Sequence, residues 1–482
     1  MAKLPSIFSL DFYLGKLGYA KASTLPIIQN QPLTDDDAES MDLSFAQSTR
    51  KIVKWLSVNG TDIGAITTSN VNGIIGSSIN VQSRIKGEKE LNEDIEYYIE
   101  DWSNNCDITG RWTLNSALRS MVEFTDKDGG FLLRHHYDSS WDIGYKFELI
   151  EVAMIDISEH DPEKNIYNGL KKDEYGAIIG IYLFKDENRY ESSCVDYSEL
   201  IFFSPIWLSL SQYTAISKFV SILPSVDKME RYTDAELDKV IEDAKAGRYW
   251  KTSMYDDILK LTKEIQDSKE KILMLKEIMN KLSNSGIKPN GLTAIPLGDD
   301  IVKTENLSAS IYPNLNKANK QNIAANQGLS SQIVYQDSSD SNYSSIKAMM
   351  AFAQIQWNTR WDDLYRKVVK PVIYNVVRQG ADSKELPISK FYENKRKYFR
   401  IEVMRVTEID IEPMKTANAD SEKLENGSTS LREICRRKGR NVEDVIRERL
   451  EDEKLERDLR VEYDLPQREE MLEEKVTSAE DK

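Results

Sequence analysis

The stretch Asn322-Ile323-Ala324-Ala325-Asn326-Gln327-Gly328-Leu329-Ser330, followed by Gln336-Asp337-Ser338-Ser339-Asp340-Ser341-Asn342-Tyr343-Ser344-Ser345-Ile346-Lys347-Ala348-Met349-Met350, decides how this chain is built. Helical signals precede Gly328, small polar residues fill the middle, and an amphipathic pattern resumes at Ser344, where Ser or Asn can cap a new helix. The pattern predicts a hydroxyl-rich loop on two rigid supports. Such loops often carry function; a plain surface connection fits the same residues.

Beyond the loop, Ile346, Met350, Trp357, Trp361, Leu364, Val368, Val372 and Val376 define one long apolar helical face. Pro371 has no N–H to give its i−4 carbonyl, so a kink or break is expected just before it, and Gln379-Gly380 supplies a stop. Upstream, Ile258, Leu261, Ile265, Ile272, Leu275, Met279 and Leu282 fall on alternating three and four spacing broken only at Ser268, a heptad-like stripe suited to one partner helix. Thr233-Asp234-Ala235-Glu236 has capping-box spacing, and Leu237, Val240, Ile241 and Ala244 follow as a face to be buried against a neighbour.

The first half of the chain mixes periods. Residues 1–42, with Pro5, Pro26, Pro32 and Asp35-Asp36-Asp37, read as an extended or partly ordered arm, and 43–73 as two helices broken at Gly60. Then come a strand at 76–83, a helix at 91–102 with Ile95, Tyr98, Ile99 and Trp102 on one face, and a helix at 113–125. Asp128-Gly129-Gly130 turns the chain into strands at 131–136 and 145–156, and Tyr175-Gly176 punctuates a hairpin into 177–184. A further strand is expected at 398–405, and from Ser430 the chain reads as highly charged helix. The class is therefore α+β, mainly helical.

The 482 residues are 40% hydrophobic and 30% charged, and the longest apolar stretches, 177–184 and 201–210, fall well short of the ~20 residues of a membrane span. With no signal-peptide pattern and three widely spaced cysteines, Cys106, Cys194 and Cys435, a cytosolic protein with reduced thiols is expected. The net charge is −16, and residues 441–482, with 16 acidic and 8 basic side chains, supply −8 of it. Static grip on phosphates is driven by Lys and Arg, so this balance suits ordinary solubility or a surface that repels nucleic acid.

No catalytic constellation emerges. His135 and His136 are neighbours on an expected strand and point to opposite faces, so they do not chelate together, and His160 has no His or Cys at ligand spacing. The phosphate-cradling Gly-x-x-x-x-Gly-Lys-Ser/Thr loop and the Gly-x-Ser-x-Gly elbow are both absent from the sequence. No metal, cofactor or enzymatic activity is expected.

Asn342-Tyr343-Ser344-Ser345-x-Lys347-Ala348 resembles the Asn-Tyr-Ser-Ser-x-Arg/Lys-Ala signature of lambda-type tailed-phage portal proteins. Further pieces keep the family's order: Ile95 to Trp102 with Asp107-Ile108-Thr109-Gly110, Arg231-Tyr232-Thr233-Asp234-Ala235-Glu236-Leu237, Pro413-Met414-Lys415-Thr416-Ala417, and Lys438-Gly439-Arg440-Asn441-Val442-Glu443. Departures occur at Ile75-Gly76-Ser77, where a Val-Gly-x-Gly turn is usual, and at Gly129-Gly130-Phe131, which lacks the usual Glu.

The resemblance implies a portal-like fold with wing, stem, clip and crown parts: an arm over 1–43, an α+β wing over 44–210, a first stem helix region over 211–254 and a clip over 255–312. A second stem helix over 313–328 and a tunnel loop over 329–343 would follow, then a kinked helix and wing return over 344–429 and crown helices with an acidic tail over 430–482. Ser330, Ser331, Gln332, Gln336, Asp337, Ser338, Ser339 and Asp340 would line a DNA channel, flanked by Asn342, Tyr343, Ser344, Ser345 and Lys347. The implied protein is a ring, usually dodecameric, at one capsid vertex of the virion, assembled in the bacterial cytoplasm. Its implied partners are double-stranded DNA, the terminase motor, the major capsid protein and a head-tail adaptor. A helical scaffold or tail adaptor without such a loop is the alternative reading, and a carboxylate hydrolase using Asp299 or Asp300 a distant third.

Overall fold

The computed structural model describes residues 35–186, 188–206, 212–246, 250–251, 269, 273, 294–295, 307–337, 339, 342–406 and 413–463. In chain order the elements are α1 (Asp35–Asn59), α2 (Asp62–Ile75), β1 (Ile79–Ser83), α3 (Lys89–Asn104), α4 (Leu114–Asp128), β2 (Phe131–Tyr137), β3 (Tyr145–Glu151), β4 (Ile166–Tyr167), β5 (Leu170–Lys172), β6 (Ile178–Phe184), β7 (Ser192–Asp196) and β8 (Leu200–Phe203). There follow α5 (Leu223–Ala246), β9 (Trp250–Lys251), β10 (Ala294–Ile295), α6 (Leu307–Asn326), α7 (Ser331–Tyr335), α8 (Tyr343–Leu364), a π turn (Tyr365–Val369), α9 (Lys370–Asp382), α10 (Lys395–Tyr398), β11 (Ile401–Arg405), α11 (Pro413–Glu425), α12 (Leu431–Arg437) and α13 (Val442–Glu462). The chain is thus mixed α and β. It divides into two compact units, Met1–Ser221 with Gln327–Lys482, and Ile222–Asn326.

In the first unit, apolar residues at helical spacing pack α1, α2 and α4 together through Ile52, Leu56, Ile63, Ile66, Ile74, Leu118 and Met121, all at most 3% exposed. On α3, Ile95, Ile99 and Trp102 form the expected buried face, and the Trp102 indole N–H donates to the Tyr145 carbonyl over 2.8 Å. Thr113 caps α4 by accepting from the Ser116 N–H. Gly129 ends α4 in the left-handed region at φ 86°, against Ile216 backbone that a Cβ would strike at 2.4 Å.

β2 is the centre strand of an antiparallel sheet ordered β3-β2-β8, registered by Leu133 opposite both Leu149 and Ile201. A second antiparallel sheet runs β4-β5-β6-β7, with a bulge at Lys171/Lys172. Leu132, Ile155, Leu170, Ile181, Leu183, Val195 and Leu200 share one apolar cluster that joins the two sheets. β1 pairs antiparallel with β11, Val81 opposite Val403. The strand expected over 398–405 starts later, at Ile401, because Lys395–Tyr398 closes a helical turn first.

Helix α8 runs into α9 without a loop, and the interruption expected before Pro371 is the π turn over Tyr365–Val369. Pro371 sits at the start of α9, directly after the π turn that interrupts the regular i→i−4 ladder. In the second unit α5 and α6 pack together, with Tyr232 and Tyr312 stacked at 5.6 Å and the Thr233 and Tyr312 hydroxyls 3.2 Å apart. Leu237 and Ile241 on α5 stay about half exposed within the chain, so the face expected to be buried against a neighbour is not covered by the chain's own described residues. The heptad-like stripe over 258–282 lies outside the described residues, apart from residues 269 and 273, both helical. Among the described residues no helix is long and apolar enough to cross a membrane.

Candidate functional site: a polar loop rooted on a buried carboxylate

The stretch after α6 is only partly a loop. Gly328 takes φ 72°, close against Gln356, and Leu329 is buried. Ser330 then caps α7, its Oγ accepting from the Ile333 N–H over 3.4 Å. Val334 is buried, the Tyr335 hydroxyl donates to Asp62 Oδ1 over 2.7 Å, and the Ser69 hydroxyl donates to the Ile333 carbonyl over 3.4 Å. Burial and the Asp62 carboxylate push the Tyr335 phenol well up, so it stays a donor. Ser330, Ser331 and Gln332 are therefore half-buried in a turn seated on α2. A three-residue apolar run, Ile333-Val334-Tyr335, is too short to register as a helix in the sequence.

The exposed reach begins at Gln336, which leaves α7 in the left-handed region at φ 55°. Gln336, Asp337, Ser339 and Asn342 are exposed, and Asp337 Oδ1 accepts from the Ser339 N–H and hydroxyl over 3.1 and 2.7 Å. Ser338 and Asp340 lie outside the described residues. The reach ends in a capping box: Asn342 Oδ1 accepts from the Ser345 N–H over 2.9 Å while the Asn342 N–H donates to Ser345 Oγ over 3.2 Å. That exchange explains the Asn-Tyr-Ser-Ser motif physically, since Asn342 and Ser345 satisfy each other's orphan backbone groups. Tyr343, Ser344 and Lys347 fall in the first turns of α8, with Ser344 and Lys347 exposed.

Both roots of the reach are tied to α4. Asp126, fully buried, accepts from the Asn70 amide over 2.8 Å and from the Arg360 guanidinium. Asn70 in turn accepts from the Trp357 indole N–H over 3.2 Å, so Asp126 fixes two side chains of α8, Arg360 directly and Trp357 through Asn70 of α2. On the other root, the Ser217 hydroxyl donates to the Asp126 carbonyl over 2.9 Å, while Lys218 and Gln327 exchange hydrogen bonds to each other's carbonyls at 3.5 and 3.4 Å. Burial lowers the Lys218 amine to about 8, with Asp126 opposing that shift and Arg360 adding to it. Gly73 is the complement of Trp357: a Cβ there would meet the indole at 2.1 Å.

Sequence reasoning found the exposed residues but missed Asn70, Gly73, Asp126, Lys218 and Arg360. The legible signal was Asp126 itself, a charge at i+4 and i+8 from Val122 and Leu118 on an otherwise apolar stripe. The histidines are engaged by side chains: His135 Nδ1 lies 2.8 Å from Tyr145 Oη, His136 Nε2 2.9 Å from Glu148 and His160 Nδ1 3.3 Å from Asn168. Among the described residues no three His, Cys, Asp or Glu side chains converge as a metal site, and Cys106, Cys194 and Cys435 are free thiols.

Comparison with protein families matches residues 31–360 to the family of phage portal proteins of the lambda type. That span holds both roots of the reach and the Asn342–Ser345 capping box. The chain matches no curated protein.

Proposed function

Because the chain belongs to the lambda family of phage portal proteins, a structural component of an oligomeric, capsid-associated assembly, we propose that it forms a ring around a DNA channel at one capsid vertex, with residues 336–342 as its channel-lining loop. The observation that carries this reading is the contrast within the loop. Its roots are held by partly buried hydrogen bonds to α2 and α4, while its tip carries Gln336, Asp337, Ser339 and Asn342 into solvent.

A tip of amides, hydroxyls and a carboxylate offers passing phosphates weak contacts and mild repulsion, with none of the multivalent Lys and Arg pairing that arrests nucleic acid. Rotational symmetry repeats each carboxylate around the axis, so the summed field keeps DNA off the wall. Ser330, Ser331 and Gln332 serve as root, and Ser338 and Asp340 are assigned with the channel-lining residues by their place in the sequence. Asn342, Tyr343, Ser344, Ser345 and Lys347 start the supporting helix. In this reading the ring is dodecameric and conducts DNA during packaging, retention and ejection. The terminase motor supplies the work of packaging, and the ring also meets the major capsid protein and a head-tail adaptor.

The test replaces residues 337–341 with a Gly-Ser linker of equal length and follows particle assembly and DNA content. Rings should form at wild-type yield while packaged DNA is lost or leaks. Wild-type DNA content would remove the loop from the conduction path.

A further inference from the structure

Helix α8 carries two apolar stripes, and the chain's described residues cover only one of them. Ala353, Trp357, Trp361 and Leu364 are buried, at most 8% exposed. Ala348, Ala351, Phe352 and Ile355 recur at i, i+3, i+4 and i+7 on a different side and are all exposed, Phe352 by 71% and Ile355 by 64%. A helix that is apolar on more than one side is ordinarily a buried helix. Single exposed apolar residues need no explanation, but a contiguous run at helical spacing marks a contact surface.

Charge points the same way. Between Lys347 and Arg360 the helix has no charged residue, in a chain where 30% of residues are charged. Depletion of charge with retention of aromatics is the compositional mark of an interface centre. The stripe has no cation with which to hold phosphate, which makes it unsuited to DNA. Ala348 and Ala351 leave room for a close approach, with Phe352 and Ile355 as the projecting anchors.

The occupant follows from the assembly. Members of this family work as oligomers, so copies of this chain, each bearing the stripe, stand beside one another at fixed spacing. We infer that Ala348, Ala351, Phe352 and Ile355 pack against an adjacent copy of this chain, joining the helix that bears one loop to the next subunit. The stripe begins two turns after the Asn342 cap, so the contact also couples the positions of neighbouring loops. This inference rests on the ring reading above, and it adds which helix face closes the ring.

The experiment uses the full chain. Native mass spectrometry across a concentration series compares wild type with F352D/I355D and F352L/I355L. The Asp pair is expected to raise the assembly midpoint at least tenfold with the far-ultraviolet spectrum unchanged, because both side chains project from the folded subunit; the Leu pair is expected to assemble as wild type. A folded Asp variant that assembles like wild type overturns the inference. Should the Asp variant not fold, a photo-reactive benzophenone side chain at position 352 in otherwise wild-type assemblies decides: chain-to-chain crosslinks are expected, and their absence overturns the inference. Intact rings without such crosslinks would leave the DNA-channel reading standing, whereas the absence of rings in the wild type would remove that reading.

Discussion

Asp126→Asn is the sharpest probe of the way the loop is held. The substitution keeps the shape of the side chain but removes the charge that faces Arg360, whose side chain is 22% exposed against 0% for Asp126. Breaking a fully buried ion pair from one side costs about 3–5 kcal/mol. Partial solvation of the guanidinium and the surviving amide acceptor reduce that here to about 2–3 kcal/mol. Arg360→Met leaves the carboxylate buried with Asn70 as its one remaining side-chain donor among the described residues, and is expected to cost about the same. If the two act as one pair, the double variant D126N/R360M should be less destabilised than the sum by about 1.5–2.5 kcal/mol. Urea unfolding at one fixed protein concentration measures all four corners of the cycle. Limited proteolysis supplies the local readout: in D126N, cleavage within 336–342 should accelerate before global unfolding, because the roots open first. Additivity within about 0.3 kcal/mol would refute the claim that Asp126 and Arg360 form one structural unit.

Two further outcomes follow from the same packing. Gly73→Ala forces a Cβ to within 2.1 Å of the Trp357 indole and is expected to cost about 1–3 kcal/mol in urea unfolding, with a change in tryptophan fluorescence; an unchanged midpoint would mean that α2 and α8 do not meet there. Burial, with help from Arg378 and the neighbouring His136, lowers His135 from 6.5 to about 4, so the folded chain holds it neutral where the unfolded chain takes up a proton. Stability should then fall by up to about 3 kcal/mol as pH drops from 6.5 towards 4, and His135→Gln should flatten that limb; an identical pH profile in the variant would contradict the assignment.

Much of this was written in the local sequence, for identifiable reasons. Ile95, Ile99 and Trp102 sit three and four apart, and one face of α3 follows directly. Gly129 and Gly176 mark left-handed turns that other residues rarely adopt, and both turns lie where the sequence puts them. Pro371 announces the break between α8 and α9, although the form it takes, a π turn, depends on packing on both sides of it. Asn342 and Ser345 were legible as a helix start because their capping exchange is local.

What escaped the sequence is non-local. The bond from Tyr335 to Asp62 spans 273 positions and that from Arg360 to Asp126 spans 234, so neither leaves a periodic trace. The same blindness made the whole of 329–343 read as open loop, when its first half, 329–335, is folded onto α2. Leu237 and Ile241 erred in the other direction: their spacing is that of a buried face, yet the chain's described residues leave them half exposed. Phe352 and Ile355 pose the same problem on α8. Spacing reports that a face is apolar and leaves open what covers it.

Cryo-electron microscopy of the purified, assembled protein tests the central claim most directly. The account predicts a closed ring with an axial channel wide enough for duplex DNA, residues 336–342 of every subunit on its inner wall and α7 behind them. A closed ring with those residues on the outer rim, or particles with no axial opening, would contradict it.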